Sequence, residues 1–81
     1  MATKPNQALI YRKVPEFLRE LRQRAKLTQR QLAVKVKKPQ WWVARIELGS
    51  RRIDVAEFIE FCIGCGDKPT DAFEELVRLR R

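Results

Sequence analysis

Thr28–Gly49 reads TQRQLAVKVKKPQWWVARIELG, and the parsing of this stretch decides the fold. Thr28 is a good helix N-cap, and Gln31 three residues later completes a T-x-x-Q capping box. Leu32, Ala33 and Val36 then give that helix one apolar face. Lys37 and Lys38 interrupt the pattern. Pro39 suits the first turn of a new helix, where its missing N–H would have no partner anyway. Val43 and Ile46 recur three residues apart, and Gly49 can take the left-handed conformation that ends a helix. Two helices this short, joined by so short a link, cross rather than run antiparallel. The stretch is a helix-turn-helix.

Thr28-Gln29, Leu32-Ala33, Val43, Arg45-Ile46-Glu47 and Gly49, followed by Arg51-Arg52, carry a family pattern. Across about Phe17 to Leu76 the chain resembles the lambda-repressor-like helix-turn-helix proteins of the Cro/CI or xenobiotic-response-element type. The signal lies in the spacing over one continuous run, since a lone T-Q-x-x-L-A would be unspecific. The resemblance implies an all-α, compact five-helix domain.

Outward from the motif, the 81 residues suffice for one small domain with one core. Eighteen Lys and Arg against ten acids give a net charge of +8, which points to a polyanionic partner or, at its simplest, to solubility. No run reaches the roughly 18 apolar residues of a membrane span, and no signal-peptide core opens the chain. The expected location is therefore cytoplasmic. Residues 1–13 carry Lys4, Arg12 and Lys13 without a sustained period, and read as a basic arm or a frayed terminus. Residues 14–81 form the domain, with the motif at about 28–49.

Val14, Phe17, Leu18, Leu21 and Ala25 make one stripe, so the first helix is expected from Pro15 to near Lys26. Arg19 and Arg24 sit on its solvated side. Ser50–Asp54 is a basic connector, and Asp54 with Glu57 makes a second capping box. The helix from Val55 to about Cys65 is apolar on more than one face. Its excess, Phe61 or Ile63, is expected on a surface that meets a partner. Pro69 opens a last helix bearing Ala72, Phe73, Leu76, Val77 and Leu79 at helical spacing.

Catalysis finds little support. There is no His, the commonest general base, and no Gly-rich phosphate loop. Cys62 and Cys65 form a C-x-x-C inside an apolar helical pattern. With neither a second cysteine pair nor a His, a four-ligand zinc site cannot be assembled. No metal, cofactor or catalytic residue is expected. The class is binding.

A DNA-reading helix needs polar side chains near its N-terminus and phosphate contacts beside it. Gln40 opens the second motif helix and can pair bidentately with adenine, while Arg45 can reach guanine or a phosphate. Lys37 and Lys38, with Lys35, supply phosphate-seeking charge. The resemblance implies that Gln40, Trp41 and Arg45 face base edges, and that Gln29 caps its helix against a phosphate. It also implies backbone contacts from Ser50, Arg51 and Arg52, and a partly buried ion pair between Arg22 and Glu47. The expected function is sequence-specific binding of duplex DNA by a homodimeric bacterial or phage transcription regulator, reading the major groove with the helix 39–48.

Two departures from the family pattern stand out. Lys37-Lys38 occupies a turn where Gly is common, which forces a left-handed Lys or a changed turn. Trp41 falls where small or polar residues are usual, about 100° from Trp42, so one helix face cannot bury both; a core place is credible for Trp42 but not for Trp41. With Ala44 and Leu48 further along, Trp41 and Trp42 suggest an alternative: a protein-interaction module, natural or engineered, built on this scaffold.

Overall fold

Five helices form the computed structural model, which describes the backbone of residues 5–79 and the side chains of residues 11–79. They are α1 (Pro5–Arg24), α2 (Gln29–Val36), α3 (Gln40–Leu48), α4 (Val55–Gly64) and α5 (Pro69–Leu79), with no strand among the described residues. The all-α, five-helix expectation holds.

The first helix departs from expectation. It starts at Pro5, not Pro15, and runs through Pro15 without ending. Pro5 is the first described residue of the helix, and proline is favoured in a first turn. Pro15 has no N–H to give the carbonyl of Tyr11, so the helix forgoes one hydrogen bond there. In return its ring closes on the end of α3, where a Cβ on Gly49 would lie 3.3 Å from Pro15 Cγ. The expected basic arm at residues 1–13 is thus helical from Pro5 onward, and residues 1–4 lie outside the described residues.

All five helices contribute to one core. Phe17, Leu18 and Leu21 meet Leu32 and Ala33 of α2, Trp42, Val43 and Ile46 of α3, Phe61 and Cys62 of α4, and Ala72 and Leu76 of α5. Burying a side chain such as Phe17 or Phe61 contributes about 1.5–3 kcal/mol. Cys62 and Cys65 are buried free thiols whose pKa values burial pushes up to about 11 and about 12, so they behave as small apolar groups. Gly64 lets α4 approach α2 closely, since a Cβ there would sit 2.7 Å from Val36 Cγ1.

Of the two residues expected to carry the apolar excess of α4 on the surface, Ile63 does and Phe61 does not. Phe61 is fully buried, because α1, α2 and α5 cover two sides of this helix. Its outward residues are Val55, Ile59 and Ile63.

Candidate nucleic-acid interface

Both capping boxes form, and they set the geometry of the motif. Thr28 Oγ1 accepts from the Gln31 N–H at 3.1 Å while the Gln31 side chain accepts from the Thr28 N–H. At the other end of α2, Lys37 takes the left-handed conformation with φ 57°. Its N–H bonds back to the Ala33 and Val34 carbonyls, so a residue with a Cβ fills a glycine's role at a cost of about 1 kcal/mol. Pro39 sits at the N-cap of α3, one residue before the expected first turn and without a side-chain capping bond, and the helix ends at Gly49, also left-handed with φ 81°.

Arg22 fixes α3 against α1. Its Nε donates to Glu47 Oε2 at 2.6 Å and its Nη2 to Glu47 Oε1 at 2.9 Å, while Nη1 donates to the Leu27 carbonyl. The fork is bidentate and largely buried, with the Glu47 side chain only 3% exposed. Gln29 Nε2 also donates to Glu47 Oε1, at 3.1 Å. One carboxylate therefore joins α1, α2 and α3.

A second carboxylate organises the connector. Glu57 takes the Arg51 guanidinium at 2.9 and 3.0 Å, the Asp54 N–H at 3.1 Å and the Trp42 indole N–H at 3.4 Å. The Arg51 guanidinium, then the Asp54 N–H, hold the Glu57 carboxyl down to a pKa of about 2. The connector is also tied to α3, since the Ser50 and Arg51 N–H groups both donate to the Arg45 carbonyl.

Residues 16–76 match the family described as a helix-turn-helix domain. Among solved structures, an XRE-family like protein from Pseudomonas syringae pv. tomato is 34% identical, with a TM-score of 0.83. The match covers 90% of this chain and 89% of that one. The chain belongs to the lambda-repressor-like helix-turn-helix family. No curated protein matches it. This family's fold is that of DNA-binding regulators, a binding scaffold rather than a typical enzyme fold.

On this helix-turn-helix domain the expected site residues divide. Lys37, Gln40, Trp41, Arg45, Ser50 and Arg52 are exposed along α3 and its two flanks, and Lys38 is half-buried beside them. Arg45 lies over the Trp41 ring, its guanidinium carbon 4.9 Å from the centroid. Arg52 lies similarly over Tyr11 at 4.7 Å. Gln29 and Arg51 are engaged with Glu47 and Glu57 and act first as struts of the motif.

Trp42 is a correction to the alternative interface of Trp41, Trp42, Ala44 and Leu48. It is 3% exposed, tilted against Phe61 and hydrogen-bonded to Glu57, because it shares the inward side of α3 with Val43 and Ile46. Ala44 is half-buried, so the outward apolar surface of α3 reduces to Trp41 and Leu48, 52% and 80% exposed. Two contributors escape a reading of the sequence. Arg30 of α2 reaches Gln40 Oε1 at 3.5 Å, a pairing across ten residues with no periodic signal. Glu57 shows in sequence only as a capping residue, whereas its hold on Arg51 and Trp42 needs the folded connector. Among the described residues no cluster can hold a metal ion, and no helix is long and apolar enough to cross a membrane.

Proposed function

We propose that this chain is a sequence-specific transcription regulator that lays α3 in the major groove of duplex DNA. The observation that carries this reading is the state of the charges on α2, α3 and the connector. Residues 28–53 hold seven Lys and Arg against one acid, Glu47, and that acid is buried under Arg22 and Gln29. The exposed charges of this stretch are therefore all positive. Lys37, Lys38 and Arg52 serve phosphates at either end of α3, while Gln40, Trp41 and Arg45 face base edges. The regulator acts as a homodimer on half-sites about one helical turn apart, in the cytoplasm of a bacterial cell.

Titration of a random duplex at two salt concentrations tests this reading. Affinity should fall steeply with salt, and removing Lys37 or Arg52 should each reduce the log–log slope by about one. Absence of binding at low salt would remove the reading.

A second reading rests on Trp41 and Leu48, which together expose an apolar strip on α3. Under it the strip contacts a protein partner, and Trp41→Ala should abolish association, a loss of at least about 2 kcal/mol, while the fold survives. Under the DNA reading the same variant keeps its salt-dependent affinity.

A further inference from the structure

The stacking of Arg45 on Trp41 carries an inference about which base step is read, and it rests on the DNA-binding reading above. Arg45 forms no ion pair among the described residues, although it sits near the middle of the motif. The carboxylate on its own helix, Glu47, is held by Arg22, and the connector's Glu57 is held by Arg51. Its guanidinium is instead laid over the exposed indole four residues earlier on α3. Stacking restricts a side chain that is otherwise rich in rotamers, and it leaves the donor edge of the fork unoccupied. A restricted, unoccupied fork suits the O6 and N7 acceptors of guanine, which lie side by side in the major groove. A phosphate oxygen would need no such restriction.

Trp41 adds the second half. Its indole is half exposed, apolar, and one helical turn from Arg45 along the same face. In the major groove the apolar feature a base offers is the 5-methyl group of thymine. We propose that Trp41 and Arg45 act as one unit that reads a guanine beside a pyrimidine bearing a 5-methyl group. Arg45 takes the guanine edge, and Trp41 covers the methyl while orienting the guanidinium. Thymine and 5-methylcytosine present the same methyl, so a methylated cytosine can replace the thymine at this step.

The test uses the full chain and a random-sequence duplex pool, from which the bound fraction is selected and sequenced. The enriched duplex is then remade with single atomic changes and titrated. A guanine adjoining a thymine should be enriched. Replacing that thymine by deoxyuridine, which deletes only the methyl, should weaken binding about four-fold in the wild type. Trp41→Ala should bind thymine and deoxyuridine duplexes equally, and Trp41→Phe should restore part of the difference. Arg45→Lys keeps the charge but loses the fork, so its preference for guanine should fall about ten-fold while its salt dependence persists. Enrichment without a guanine–thymine step, or equal wild-type affinity for the thymine and deoxyuridine duplexes, would overturn the inference. Low-salt binding without any enrichment would overturn it too and leave general DNA binding standing. Failure to bind any duplex at low salt would remove both.

Discussion

The α2–α3 side of the molecule and its α4–α5 side use charge in opposite ways. Residues 28–53 bury their one acid and expose cations, whereas residues 54–79 hold seven acids against Lys68 and Arg78. The α4–α5 side also exposes Val55, Ile63 and Phe73, at 77%, 62% and 58%. A polyanion is attracted to the first side and repelled by the second. The net charge of +8 is therefore a poor description of either side, and the position of the acids says more than the total.

The largest effect expected is on the buried pair beneath the basic side. Arg22→Ala leaves Glu47 charged and nearly buried, with Gln29 its remaining side-chain donor. Stability should fall by about 3–5 kcal/mol in urea unfolding. A loss below about 1 kcal/mol would mean that the pair does not organise this side.

Next comes the carboxylate at the border of the two sides. Glu57→Gln weakens the bonds to Arg51, Asp54 and Trp42 and should cost about 1.5–3 kcal/mol at neutral pH. The folded pKa of Glu57, about 2, lies below its ordinary 4.5, so the folded state binds this proton less readily than the unfolded chain. Its stabilising contribution is thus complete above about pH 4.5 and is lost as pH falls toward 2. Unfolding midpoints measured across that window should fall less steeply for Glu57→Gln than for wild type. Equal slopes would separate Glu57 from the acid response.

Much of this architecture is legible in the sequence. Thr28 with Gln31 and Asp54 with Glu57 mark two helix starts through local chemistry, and Gly49 marks an end. Pro15 misleads for a physical reason. Its compensating contact with Gly49 lies far along the chain, while α1 extends back to Pro5. Phe61 misleads similarly, since periodicity cannot show that α4 is covered on two sides. On α3, the shared exposure of Gln40, Trp41 and Arg45 is legible from their spacing on one helix. The pairing of Arg51 with Glu57 depends on how the connector turns.

Smaller effects sharpen the contrast. Lys37→Gly should stabilise the fold by about 1 kcal/mol by relieving the left-handed backbone, and should weaken duplex binding by removing one phosphate contact. On the opposite side, Ile63→Ser should change monomer stability by no more than about 0.5 kcal/mol and leave the affinity of a monomer for a single half-site unchanged. Thermal melts and half-site titrations of both variants check these outcomes. A large loss of half-site affinity in Ile63→Ser would place a contact on the α4–α5 side.

The two tryptophans provide the most direct measurement of whether the α2–α3 side faces DNA. Their indole N–H groups give separate proton signals that can be followed by nuclear magnetic resonance as a short duplex is added. Trp41 is exposed on the outward side of α3, while Trp42 is buried with its N–H on Glu57. The Trp41 signal should shift on titration, together with the amides of Lys37, Gln40, Arg45 and Arg52, while the Trp42 signal stays nearly fixed. A Trp41 signal that does not move while amides around Ile63 and Phe73 shift would contradict it.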